Sequence, residues 1–178
     1  MQDEALTIEI PLALRWEALP ETAPVPSCYQ HNLLVFSLLD VFAEPSSPAH
    51  EPHSSPELQR IENKLNLLIE MVRQLSGQSH PRLVPVPVKI SCKGLAWRAD
   101  SAPAENASLL LELYLDGESQ HAVKIVARVL SVSERDGGYY VHARFSALNE
   151  IEENHLEKWI FAQHRRMVAQ RRSRHSPA

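Results

Sequence analysis

The chain has 178 residues, a formal net charge of −4 and two cysteines. That length holds one modest core with accessory elements and excludes two full enzyme domains, and the charge argues against general binding to DNA. Cys28 and Cys92 lack a second pair for a disulfide framework and suit the reducing cytoplasm. Met1-Gln2-Asp3-Glu4 has no basic n-region of a secretory signal.

From the N-terminus, Leu6, Ile8, Ile10, Leu12 and Leu14 alternate with more polar residues, the pattern of a half-buried strand. Pro11 demotes it to an edge, from which it can complete a sheet begun later. Pro20, Pro24 and Pro26 break the chain. The apolar run 32–42 then reads as a short buried helix, closing an N-terminal unit over 1–43. Ser37 and Asp40 interrupt it, and no stretch reaches the roughly 18 apolar residues of a membrane span. Residues 44–54 are Pro, Ser, His and Glu with little to pack, a solvated linker.

Residues 55–77 form the most strongly patterned segment. Leu58, Ile61, Leu65, Leu68, Val72 and Leu75 recur at alternating spacings of three and four, a heptad seam. Ser55 is placed as N-cap, Pro56 at the first helical position and Gly77 at the stop. Ile69 at e and Met71 at g widen the stripe beyond a two-stranded seam, pointing to three or four helices or to packing on the chain's own domain. A helix of about 20 residues is roughly 30 Å long and marginal alone in water, so it needs a partner surface.

Residues 80–148 change character. Runs at 84–90, 95–98, 108–115, 122–132 and 139–145 are rich in β-formers and separated by turn clusters such as Asp136-Gly137-Gly138. Five short strands at hairpin spacing predict a small antiparallel barrel or sandwich. Val123, Ile125, Ala127 and Val129 supply one face of one strand; Tyr139, Val141, Ala143 and Phe145 supply one face of the next. A helix over 149–172 follows, with Ile151, Leu156, Trp159, Ile160 and Met167 expected to pack on the barrel, and residues 173–178 form a basic tail. The fold class is α+β with a mainly β core.

Catalysis finds no support. His50 and His53 lack the further ligands zinc requires, so no metal is expected. Ser91, Cys92 and Lys93 are nucleophile types without a sequence-linked base, and neither of the commonest Gly-rich phosphate loops occurs. No catalytic residue and no cofactor is assigned. Arg165, Arg166, Arg171, Arg172 and Arg174, with His164 and His175, form an acid-free stretch. It reads as a solvated helix end favoured by the macrodipole, or as a binder of RNA or an anionic membrane surface.

Ser91-Cys92-Lys93-Gly94, the strands after it and Tyr139-Tyr140-Val141-His142-Ala143-Arg144-Phe145 before a terminal helix together resemble a PilZ domain, from about residue 81 to 172. The resemblance implies a small β-barrel, usually of six strands, that receives cyclic di-GMP through an R-x-x-x-R segment and a [DN]-x-S-x-x-G segment. Ser91 and Gly94 match the second segment, but Lys89 stands at its acidic or amide position. No Arg-x-x-x-Arg precedes the barrel: Arg82 stands alone, and the heptad segment occupies the region where the arginine pair belongs. The lost contacts, at roughly 1.5–3 kcal/mol per hydrogen bond to a charged group, weaken family-type binding by several powers of ten. A degenerate barrel preceded by a heptad helix is similar to the tetrameric PilZ proteins of xanthomonads.

The resulting expectation is a non-catalytic signalling adaptor in cyclic di-GMP-linked control of motility or virulence, a homo-oligomer, tetrameric by the resemblance, acting on a protein partner not identified by sequence. One alternative is a receptor that still binds cyclic di-GMP through Arg82, Ser91, Lys93 and Gly94. The other is the basic-tailed RNA or membrane-surface binder.

Overall fold

The computed structural model describes residues 5–22, 24–43, 61, 64–65, 83–115, 121–135 and 137–174. Among them, six segments in which buried and exposed side chains largely alternate make six strands, and two continuous segments make helices. The order is β1 (Ile8–Leu19), α1 (Tyr29–Ala43), β2 (Val86–Ser91), β3 (Gly94–Ala99), β4 (Ser108–Tyr114), β5 (Val123–Arg135), β6 (Gly138–Phe145) and α2 (Glu150–Arg174). The strands close into an antiparallel barrel in the order β1-β2-β3-β6-β5-β4.

The inward residues fill the barrel, as expected for a small closed sheet. Trp97, Ile90, Leu95, Leu111, Leu113 and Ile125 are among the largest fully buried side chains. Val123, Ile125, Ala127 and Val129 point inward, as do Val141, Ala143 and Phe145 on β6.

β1 corrects one expectation. Its first part pairs with β2, from Ile8 opposite Ile90 to Leu12 opposite Val86, and its second part pairs with β4, from Ala13 opposite Tyr114 to Leu19 opposite Ser108. It is the strand that closes the barrel and not an edge. Pro11 sits opposite Pro87, and β1 pairs with β4 only from Ala13 onward, so the N–H that Pro11 lacks, which would point to the β4 side, is called on by neither ladder.

The helices cover one side of the barrel. Val35 and Phe36 of α1 and Leu156 and Ile160 of α2 are buried against it, and the Phe36 ring stacks on His155 with centroids 5.1 Å apart. Asn149 caps α2: its Oδ1 accepts the N–H groups of Ile151 (2.9 Å) and Glu152 (3.0 Å), while Glu152 Oε2 accepts the Asn149 N–H (3.2 Å), a reciprocal capping box. That cap sets the helix phase and corrects a second expectation. Ile151 lies outside the packed face, 49% exposed, and Glu152 turns inward in its place.

Glu152 is tolerated there because Asn32 meets it. Asn32 Nδ2 donates to Glu152 Oε1 and to the Lys124 carbonyl, both at 2.7 Å, and Asn32 Oδ1 accepts the Lys124 N–H at 2.8 Å. One buried amide thus fixes α1 to β5 and to the start of α2.

The expected heptad helix over 55–77 lies outside the described residues apart from Ile61, Lys64 and Leu65, which are helical. Ile61 and Leu65, both seam residues, are exposed on the single chain. Among the described residues, no helix is long and apolar enough to cross a membrane.

Candidate functional site

The matching residues of the short motif lie at the β2–β3 hairpin. Ser91 and Gly94 face each other across a turn formed by Cys92 and Lys93. Ser91 Oγ accepts the Lys93 N–H (3.3 Å), and its hydroxyl donates to the Gly94 carbonyl (3.4 Å). The Phe145 N–H donates to the Lys93 carbonyl at 2.9 Å, which ties the turn to the end of β6.

Gly94 is required by sterics at this position. A Cβ there would stand 2.3 Å from the Ala143 carbonyl oxygen, far inside contact distance, so only glycine lets β3 approach β6 so closely. Both motif residues therefore have structural work in the hairpin.

Lys93 reaches α2, where its Nζ forms an ion pair with Glu153 Oε1. The hydrogen bond to that carboxylate, reinforced by its charge, holds the Lys93 pKa above the usual lysine range, with the positive charge of Arg144 acting in the opposite direction. Burial pushes the Cys92 thiol up; Lys93 opposes that shift, while Glu153 and Glu157 add to it. Cys28, before α1, is also pushed up by burial, opposed by Lys124 and aided by Glu152.

Register brings together residues that the sequence leaves apart. Ser91 faces Gly94, Gly94 faces Arg144, Arg144 faces Arg128, and Arg128 faces Ser108, one outward rung across five strands. Arg128 and Arg144 were not singled out by motif. Alternation alone places Arg144 on the face opposite Ala143 and Phe145, but only the pairing of β5 with β6 sets Arg128 beside it. Lys89, at the position where the motif has an acid or amide, is exposed on the outer face opposite Glu9. Arg82, His50 and His53 lie outside the described residues, as do the seam residues Leu58, Leu68, Ile69, Val72 and Leu75.

Residues 37–173 match the family model described as atypical PilZ domain, cyclic di-GMP receptor. The chain belongs to this atypical PilZ family. A solved structure of a pathogenic protein from Xanthomonas campestris, described as a new tetrameric PilZ domain self-assembled via an unusual helical bundle, is 22% identical. It covers 94% of this chain and 92% of that one with a TM-score of 0.81, and so has the same fold. Two partial likenesses are the Bacillus subtilis inhibitor of motility MotI/DgrA and the PilZ domain of YcgR from Escherichia coli, solved with cyclic di-GMP. The first is 16% identical over 48% of this chain and 44% of that one, with a TM-score of 0.38. The second is 19% identical over 53% and 82%, with a TM-score of 0.39. No curated protein matches the chain by sequence.

Proposed function

We propose that this PilZ-family chain is a non-catalytic, cytoplasmic signalling adaptor in cyclic di-GMP-linked regulation of motility or virulence, with family-type nucleotide binding lost. The observation that carries the reading is the use of the motif residues within the protein itself. Ser91 bonds across its own turn, Gly94 answers a close approach by Ala143, and Lys93 is held by Glu153. Lys89 replaces the acid or amide, and the sequence ahead of the barrel has no Arg-x-x-x-Arg. What remains of the motif is what the hairpin needs.

In this reading the chain works as a homo-oligomer held by 55–77 through Leu58, Ile61, Leu65, Leu68, Ile69, Val72 and Leu75, and it acts on a protein partner. The self-assembly described for the Xanthomonas campestris protein, which has the same fold, supports a tetramer. The exposed Ile61 and Leu65 fit a seam that another helix covers.

Calorimetric titration of cyclic di-GMP into protein whose mass is measured by light scattering in the same buffer tests the proposal. The expected outcome is no heat at tens of micromolar nucleotide and a tetramer-sized particle. Saturable binding sinks it in favour of the receptor reading, which the presence of Arg128 and Arg144 on the rung of Ser91 and Gly94 supports.

A further inference from the structure

We infer that the outer face of β3, β6 and β5 is a docking surface for a short, extended acidic segment of a protein partner; this rests on the adaptor reading. β6 turns Tyr140, His142 and Arg144 outward. Four of the six residues opposite are small, Gly94 and Ala96 on β3 and Ser131 and Ser133 on β5; the other two are Arg98 and Arg128. The row therefore stands as a ridge that a peptide backbone can follow.

Positive charge is concentrated at the two ends of the ridge. At one end Arg128 and Arg144 sit directly opposite each other, and like charges in that relation destabilise a sheet. Among the described residues no acidic side chain forms an ion pair with either. At the other end the Arg135 guanidinium lies 5.7 Å from the centroid of the Tyr140 ring. From Tyr140 to Arg144 is roughly 13 Å at about 3.3 Å per residue. β3 and β6 contain no acid, and Glu134 of β5 pairs with Tyr139 on the opposite phase of the strand.

This arrangement selects its partner by chemistry. Guanidinium groups bind carboxylates in bidentate fashion, so two acidic pairs about three residues apart on an extended chain meet both ends at once. Leu130, 50% exposed at the β5 bulge, offers an apolar contact beside the ridge. Strand addition is unavailable because the barrel is closed, so recognition must come from side chains on the face. The net charge of −4 sets the rest of the molecule against a long polyanion but leaves this short patch attractive to a short acidic segment.

The test is fluorescence anisotropy with a labelled peptide carrying two Glu-Glu pairs separated by three residues, against its Gln counterpart. The full chain is expected to bind the Glu peptide saturably, about tenfold more weakly when salt is raised from about 0.05 M to 0.3 M. Binding should fall at least tenfold in Arg128→Glu/Arg144→Glu and stay unchanged in Lys158→Glu on α2, with thermal melting confirming that both variants fold. Equal binding of the Gln peptide, or undiminished binding by the double variant, overturns the assignment. So does tighter binding of poly(U) or phosphatidylglycerol vesicles to the same arginines. Cyclic di-GMP heat that the double variant abolishes overturns this face and the adaptor reading together. Absence of both peptide and nucleotide binding overturns the face alone.

Discussion

The side chain of Asn32 on α1 bonds both backbone groups of Lys124 on β5, accepting its N–H at 2.8 Å and donating to its carbonyl at 2.7 Å. A helix side chain thus takes the place of a neighbouring strand at this point of β5, and the same amide also donates to the buried Glu152. Asn32→Ala leaves a carboxylate and two backbone groups to find new partners at a site where Asn32 and Glu152 are both almost fully buried. At about 1–3 kcal/mol for an unsatisfied buried group, and more for a charged one, urea unfolding should show a loss of about 2–4 kcal/mol. A loss under about 1 kcal/mol would mean that water replaces the amide without penalty.

Gly94→Ala and Ser91→Ala should separate, although both alter the short motif. The alanine methyl group at position 94 meets the Ala143 carbonyl and forces β3 away from β6, so a loss above about 2 kcal/mol is expected. Ser91→Ala removes two long hydrogen bonds at a partly exposed turn and should cost under about 1 kcal/mol. Loss of any ligand in Gly94→Ala is therefore uninformative about contact, and Ser91→Ala is the variant to use. Equal stability of the two would contradict the close approach.

Alkaline pH should weaken the fold. Cys28, Cys92 and Lys93 all have raised pKa values. Each therefore holds its proton more tightly folded than unfolded, and its contribution is complete below its unfolded value and lost as pH rises through the folded one. For the thiols the decline begins near pH 8.5, and for Lys93 above about 10.4. Unfolding free energies measured from pH 7 to 9.5 should fall, and the fall should be shallower in Cys92→Ala. In the same range iodoacetamide should alkylate both thiols more slowly in the native chain than in urea. A flat stability profile would argue against buried thiols.

Leu65→Asp with Leu68→Asp places two charges in the seam predicted over 55–77 and should convert the proposed oligomer to monomers by light scattering, with the barrel's near-ultraviolet signal retained. An unchanged mass would remove the heptad segment from the assembly.

The strands from β2 to β6 were legible because their alternation is local: each inward residue announces itself by its neighbours two positions away. β1 was legible as a strand but not as the closing one, since what admits Pro11 is the division of the strand between β2 and, from Ala13 onward, β4, partners distant in sequence and adjacent in the sheet. The hydropathy of α2 placed Ile151 on the packed face. The Asn149 cap and the Asn32–Glu152 bond, which joins residues from two distant helices, chose Glu152 instead. At the site, the hairpin pair Ser91 and Gly94 could be read from motif spacing. The Arg128–Arg144 pair could not, because it depends on the register across a bulged strand.

β1 also decides when the molecule can exist at all during synthesis. Ala13 pairs with Tyr114, so roughly a hundred residues must be added after the first strand has been made before its second partner is available. At about 5–20 residues per second the wait is roughly 5–20 s. Throughout that time an apolar stave without a barrel is exposed on the nascent chain. Everything between β1 and β2, including the predicted assembly segment, is synthesised while the barrel is still open. Subunits that met through that segment before β4 was complete would each hold an unpaired first strand beside another chain's emerging partners. If the chain associates through that segment as proposed, orderly assembly requires barrel closure to outrun association.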